Sequence, residues 1–470
     1  MRPFVARLRR GPGLPFHSLE VFSASILSEF DMRELPDKAD LAIRTLGEAT
    51  LPPPPAVKRE GFVTAANDVL VAQDVGQQQP FLDRGEAPPF FEAAGPRAKI
   101  FFAPERVGCG IVTCGGVCPG LNDVVRSIVL TLNHAYGVRR ILGFRYGYLG
   151  LSPESPCPPV ALTPEMVENI HQQGGTMLGT SRGPRDLGRM ADRLVELDLQ
   201  VLFTIGGDGT LRGASALAAE IARRGLAISV VGVPKTIDND LQWTQQSFGF
   251  ATAVEEARAA VVAAHNEARA ALNGVGLVKL MGRASGSIAA HAALADADVN
   301  FCLIPEAPFT LEGRGGFLEL LQARIADRRH AVVVVAEGAG QELIASGGEV
   351  LDASGNLLLN DVGVFLRRRI REHFSARGIP IEVKYIDPSY TIRSRAANSF
   401  DSRFCLILGQ HAVHAAMAGR TDMVVGFWNH RFTHVPIALA ASERKRVDPD
   451  GEIWQRVLAS TGQPSSMMGT

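Results

Sequence analysis

Val201-Leu202-Phe203-Thr204-Ile205-Gly206-Gly207-Asp208-Gly209-Thr210 is an unbroken apolar run closed by a glycine-rich loop, and Leu211 to Arg224 then reads as a helix. A run without polar alternation reads as a strand buried on both faces, the mark of a parallel sheet covered by helices. The same unit recurs downstream, where Ile228-Ser229-Val230-Val231-Gly232-Val233 leads into Pro234-Lys235-Thr236-Ile237-Asp238-Asn239-Asp240. In open parallel sheets such loops lie at the carboxyl ends of strands, where ligands bind, so neighbouring loops can serve one site.

Working outward, further strands are expected at Cys109 to Thr113, Gly276 to Met281, Phe301 to Ile304 and Ala331 to Ala336, with helices at Ala253 to Ala271 and Gly316 to Arg329. Repeated βα alternation predicts an α/β fold with right-handed crossovers. The span exceeds one sheet, so two similar doubly wound parallel-sheet lobes are expected, with the active site in the cleft between them. The boundaries read as an irregular N-terminal extension over 1–95, a first lobe over 96–248 completed by about 393–440, a second lobe over 249–392, and a tail over 441–470.

Composition narrows the partners. The chain has 470 residues, with Lys plus Arg at 48 against Asp plus Glu at 49, so no broad basic field points to nucleic acid. Its longest aliphatic stretches, such as Ala331 to Ala336, are far shorter than a bilayer span. No membrane partner is expected. The six cysteines show no paired spacing, which fits a reducing compartment. Arg2, Arg7, Arg9 and Arg10 precede the first acid, Glu20, a composition shared by transit peptides and by ordinary basic termini. The location is read as cytoplasmic, with a plastid as the alternative.

The loops carry the chemistry. Gly115-Gly116-Val117-Cys118-Pro119-Gly120-Leu121-Asn122 ends the first strand and opens a helix, a place where backbone amides approach phosphate oxygens. It lacks the lysine of a P-loop and the spacing of GxGxxG. Asp208 lies between glycines after a strand, suited either to hold Mg²⁺ against phosphate oxygens or to cap the helix that follows. Pro234 to Asp240 supplies a lysine, a hydroxyl and two carboxylates within one turn. Phosphoryl transfer to an alcohol needs a base on the hydroxyl, positive charge around the transferring group and metal neutralisation, and Asp238 suits the base. An Asx-rich turn with no ligand is the plainer reading of that segment.

From about Ala98 to Pro436 these segments resemble the phosphofructokinases, whose diagnostic loops have the forms GGDG[ST] and P[GK]TIDND. The long plant-type ATP-dependent branch is the most similar, through Cys114 to Asp123, Lys279-Leu280-Met281-Gly282-Arg283 and Tyr385-Ile386-Asp387-Pro388-Ser389-Tyr390. The resemblance implies nucleotide-phosphate contacts at Gly115, Arg182, Gly183, Gly207, Asp208, Gly209 and Thr210, with Asp208 as the magnesium ligand. It implies fructose 6-phosphate contacts at Thr236, Ile237, Asp238, Met281, Gly282, Arg283, Glu337, Tyr390, Thr391, Ile392 and Arg393. Asp238 would take the proton of the C1 hydroxyl, while Arg283 and Arg182 would stabilise transition-state charge. The resemblance also implies that the lobe over 96–248, completed by about 393–440, is nucleotide-binding, that the lobe over 249–392 is sugar-phosphate-binding, and that the protein is a homo-oligomer, dimer or tetramer.

Several positions depart from bacterial relatives. Gly274 and Lys384 stand where those enzymes place intersubunit arginines, and Leu130 replaces a basic effector-site residue, although Arg126 and the acid Glu306 remain. The donor signal is mixed, because Gly209 is ATP-like and Lys235 is pyrophosphate-like. An Asp at 209 would put charge and bulk where a nucleotide's α-phosphate must lie, so ATP is favoured, with Mg²⁺ as cofactor. A pyrophosphate-dependent enzyme, an NAD or lipid kinase, and a non-catalytic regulatory subunit are the alternatives.

Overall fold

The computed structural model describes residues 35–72, 74–183, 185–344 and 358–470. The arginine-rich start falls outside them.

Two main sheets organise the chain. The larger has nine strands, in spatial order Val69–Leu70, Phe90–Ala93, Arg431–Pro436, Met423–Trp428, Ser229–Pro234, Val201–Gly206, Gly108–Thr113, Arg140–Phe144 and Val160–Ala161. Its five central strands, from Met423–Trp428 to Arg140–Phe144, pair in parallel, and both flanks are antiparallel. The smaller sheet is parallel throughout, in the order Phe301–Leu303, His330–Ala336, Gly274–Leu280 and Glu382–Ile386. The expected strands are present, and the fold is α/β.

The unbroken apolar runs bury both faces of the strands. Val201, Phe203 and Ile205 face a core that also contains Val278, Val332 and Val334 of the smaller sheet, whereas Leu202 faces a separate core on the outer side with Leu211, Leu217 and Val230. In the smaller sheet Val333 and Val335 turn outward onto Phe317, Leu366 and Phe374. The helices Leu121–Leu130, Phe250–Ala270, Ser287–Ala295 and Ser399–Met417 lie in the shared core. One continuous apolar interior therefore joins the lobes behind the cleft.

Two regions differ from the plainer picture read from sequence. Within the expected extension, Val69–Leu70 and Phe90–Ala93 join the larger sheet at its edge, and Arg44–Thr45 pairs with Arg420–Thr421. Phe91 supplies the driving force, being fully buried against Trp243 and Trp428 with ring centroids 6.0 Å away in each case. The segment after 440 crosses from the larger sheet to the smaller lobe. There the helix Glu452–Thr461 packs against Ser287–Ala295, and the Gln463 amide brackets Cys302, accepting from its N–H at 2.6 Å and donating to its carbonyl at 3.2 Å. Among the described residues no helix is long and apolar enough to cross a membrane.

Candidate active site

The carboxyl ends of Gly108–Thr113, Val201–Gly206 and Ser229–Pro234 face those of Gly274–Leu280 and His330–Ala336 across a cleft of about 700 Å³. The loops after these strands line it, as the strand order of an open parallel sheet requires. Gly115, Arg182, Gly183, Gly207, Asp208, Gly209, Thr210, Thr236, Ile237, Asp238, Arg283, Glu337 and Arg393 all lie in its wall.

Each loop is fixed by its own sequence. Gly115 has φ +82°, and a Cβ there would approach the Lys235 Nζ at 3.2 Å, so the glycine allows both the turn and the lysine beneath it. Asn239 takes the left-handed conformation, with φ +53°, which asparagine tolerates better than most residues. Its side chain then braces the loop, donating to the Gln245 carbonyl at 3.0 Å and accepting from the Ser247 N–H at 2.9 Å. Ser247 Oγ donates to the Thr236 carbonyl at 2.6 Å, and the Thr236 hydroxyl donates to the Asp240 carboxylate. Asp238 is left to project from a turn in which the Thr236, Asn239 and Asp240 side chains are engaged.

Asp238 is a buried carboxylate of the cleft with a displaced pKa. Burial raises its pKa to about 7, helped by the negative charges of Asp240 and Glu337 and opposed by Arg393 and Lys235. Its Oδ1 atom is out of contact with solvent and makes no hydrogen bond. An acceptor so placed suits a hydroxyl donor from a substrate. Lys235 is itself buried, which lowers its pKa, while the nearby Asp238 and Asp240 favour its charged form.

Asp208 opens the helix Asp208–Arg223, whose free amides and positive dipole end face the cleft. Its Oδ1 accepts from the Gly209 N–H, while Oδ2 pairs with Arg212 at 3.2 Å and Arg444 at 3.4 Å. Gly209 has no atom within 4 Å of where a Cβ would stand. The space above it is open cleft. Beyond it, Tyr148, Leu187, Met190 and Gly213 give the cavity a less polar end, with the Tyr148 hydroxyl anchored to the Thr210 carbonyl at 2.7 Å.

Five expected residues are not in the cleft wall. Met281 is fully buried, and its sulfur accepts from Arg393 Nε at 3.0 Å. Gly282, at φ +127°, sits where a Cβ would meet the Ser285 carbonyl oxygen at 2.4 Å. Ile392 is buried in the core, Thr391 is exposed, and Tyr390 is 82% exposed on the short helix Ser389–Arg393. Glu306 is occupied structurally, its carboxylate accepting from the Gly286 N–H at 3.0 Å and the Val447 N–H at 2.8 Å. Cys114 and Cys118 are buried thiols, and burial pushes that of Cys114 up to about 12, which makes it inert as a nucleophile at neutral pH.

Sequence reasoning missed Arg444, which reaches the cleft from the segment after the last strand. Its only local signal is the charged stretch Glu443-Arg444-Lys445-Arg446, which reads as a solvated surface. The wall of Tyr148, Leu187, Met190 and Gly213 also escaped, because its members come from three separate elements.

Residues 108–416 match the family described as Phosphofructokinase. The ATP-dependent 6-phosphofructokinase of Borreliella burgdorferi is 52% identical over 382 residues, covering 80% of this chain and 86% of that protein. ATP-dependent 6-phosphofructokinase 7 of Arabidopsis thaliana is 48% identical over 377 residues, covering 80% and 77%. Among solved structures, the pyrophosphate-dependent phosphofructokinase of Marinobacter aquaeolei superposes with a TM-score of 0.63 at 21% identity, over 76% of this chain and 91% of that one. At that identity the likeness concerns the fold alone.

Proposed function

The chain belongs to the phosphofructokinase family, and from that premise we propose that it phosphorylates fructose 6-phosphate with Mg-ATP, as an ATP-dependent 6-phosphofructokinase. The C1 hydroxyl loses its proton to Asp238 as its oxygen bonds to the γ-phosphorus, and the bond to ADP breaks. Fructose 1,6-bisphosphate and ADP are the products. The observation that carries the donor is the open space at Gly209 beside the Tyr148, Leu187, Met190 and Gly213 wall. A base and ribose can fill that end, whereas pyrophosphate would leave it empty.

The residues of the cleft divide between the two substrates. Asp238, with its raised pKa and unpartnered Oδ1, suits a base poised near neutrality. Arg182 and Arg283 supply positive charge around the transferring group, and Arg393, held by Met281, suits the 6-phosphate. Glu337 suits the sugar hydroxyls. Gly115, Gly183 and Gly207 to Thr210 offer backbone amides and space to the nucleotide phosphates.

The donor set also fits Mg²⁺. Among the described residues no three His, Cys, Asp or Glu side chains converge as a protein cage, and Mg²⁺ is held by one or two carboxylates plus phosphates. Asp208 Oδ2 would be the oxygen for that purpose, since Oδ1 is bonded to the Gly209 N–H, and a cation there would compete with Arg212 at 3.2 Å and Arg444 at 3.4 Å. Asp208 would hold such a cation against the donor, where it would supply charge neutralisation for the phosphates. A closed homo-oligomer in a reducing, cytoplasmic setting completes the proposal. All six cysteines are free, in keeping with that compartment. A reporter fused to residues 1–60 tests the compartment, and scattering from the purified protein tests the assembly.

The decisive assay supplies fructose 6-phosphate with ATP or with pyrophosphate and follows ADP or orthophosphate. Turnover with ATP is expected. Turnover with pyrophosphate alone would replace the donor, and turnover with neither would overturn the reading.

A further inference from the structure

Arg444 is held in the cleft by more than its charge. Its backbone forms an antiparallel bridge with Leu241, and the next residue ties down on both sides: Lys445 N–H donates to the Asp240 carbonyl at 2.8 Å and Lys445 Nζ to the Thr244 carbonyl at 2.7 Å. Farther along, Val447 N–H is gripped by Glu306 of the other lobe. The strap therefore docks against the loop that carries Asp238, and it presents Arg444 to the cleft wall.

The guanidinium lies between two carboxylates. Its Nε is 3.4 Å from Asp208 Oδ2 and 4.0 Å from Asp240 Oδ2, and its Nη2 also reaches Asp208 Oδ2 at 3.4 Å. These are long contacts, weaker than a bidentate pair at ideal distance, and the Arg444 side chain remains 28% exposed. Asp208 Oδ2 cannot keep this arginine and accept a divalent cation on the same side without the two competing. A displaced guanidinium, anchored by its backbone, stays in the wall of the cleft that also carries Gly207, Gly209 and Thr210.

We propose that Arg444 is a partner-switching residue of the donor site. It neutralises Asp208 and Asp240 until a divalent cation takes Asp208, then turns its guanidinium onto the phosphates of the nucleotide. The inference rests on the proposed role of Asp208 in holding the cation. It predicts effects of opposite sign in one variant, which mere damage to the fold would not produce.

The test compares Arg444→Gln with the wild-type enzyme in two measurements. Binding of Mn²⁺ alone, read by electron paramagnetic resonance, is expected to tighten about two- to fivefold in the variant, the worth of a partly exposed ion pair. KM for Mg-ATP is expected to rise about tenfold or more, as when a charge-assisted hydrogen bond is lost, with KM for fructose 6-phosphate little changed. Arg444→Lys, which keeps the charge and the strap, should fall between the two in both measurements, and it serves as the test if Arg444→Gln does not fold. Mn²⁺ binding that is unchanged, weaker or undetectable in both proteins overturns the switch, as does an unchanged KM for Mg-ATP. If the wild-type enzyme fails to use ATP, the proposed function fails instead, and the Mn²⁺ measurement still decides whether Arg444 competes with a cation.

Discussion

Arg393 Nε donates to the Met281 sulfur at 3.0 Å, so a fully buried thioether in one segment sets the direction of a cleft arginine in another. Through Arg393, Met281 bears on the 6-phosphate contact proposed above. Met281→Leu conserves volume and should cost less than about 1.5 kcal/mol of stability in denaturant unfolding. Because leucine cannot accept the N–H, KM for fructose 6-phosphate should rise several-fold while KM for ATP stays constant. Steady-state kinetics with each substrate varied checks the split.

Asp238→Asn should lower kcat by about a hundredfold to ten-thousandfold, the usual worth of a positioned general base. In the wild-type enzyme kcat/KM should rise with pH through an acid limb near 7, reported as an apparent value because Asp240 and Glu337 share the field. Stability moves the other way. The folded protein holds this proton up to about pH 7, whereas the unfolded chain releases it near the ordinary carboxylate value, so this residue costs stability increasingly as pH rises between the two. Asp238→Asn should therefore raise the melting temperature at pH 8 and leave it unchanged near pH 4. Paired thermal melts at the two pH values check the sign.

Gly209→Asp should fold well, since open space surrounds the position and an acid in the first turn of a helix suits its dipole. Its kcat/KM for ATP should nevertheless fall by about a hundredfold or more, because the new carboxylate meets the nucleotide's phosphates, whose attraction to basic groups it opposes. Unfolding curves alongside ATP kinetics separate the two effects.

Gly282→Ala faces both a φ of +127° and a backbone oxygen at 2.4 Å from the added carbon. A loss of about 1–3 kcal/mol is expected from backbone strain alone, and the following Arg283 should be displaced with it. Urea unfolding and turnover are expected to fall together.

Glu306→Gln keeps one oxygen for the Gly286 and Val447 N–H groups, which already share Oε1, but removes the negative charge and the second oxygen that Gly286 also reaches. A loss of about 1 kcal/mol is expected as charge-assisted bonds become neutral ones. KM for Mg-ATP should rise as well, because the Val447 end of the strap loosens. Chemical denaturation and kinetics at fixed Mg²⁺ check both.

What was legible in the sequence was local. The loops at Gly206 to Thr210 and Pro234 to Asp240 announce themselves because strand, turn and helix follow one another directly, and their charged residues stay together in space. Met423–Trp428 and Arg431–Pro436 were not read, although Asn429 and His430 both take positive φ, at +47° and +59°, as a tight hairpin turn requires. No glycine marks that turn. Tyr390 shares a segment with Arg393, yet the tyrosine stands in solvent while the arginine reaches the cleft, a difference the segment's sequence does not carry. Arg444 is the extreme case: 236 positions separate it from Asp208, and only the path of the folded chain brings them together.

That separation bears on how the protein is made. A nascent chain can have both βα loops and every strand of the smaller sheet in place while still lacking Met423–Trp428, Arg431–Pro436 and the strap beyond them. Contacts this distant in sequence form late, after the closure of long loops has been compensated by the packing they permit. Until residues 444–447 dock, the acidic turn at Asp238 to Asp240 lacks its backbone clasp and its arginine. During synthesis the protein should bury hydrophobic surface well before it can turn over substrate.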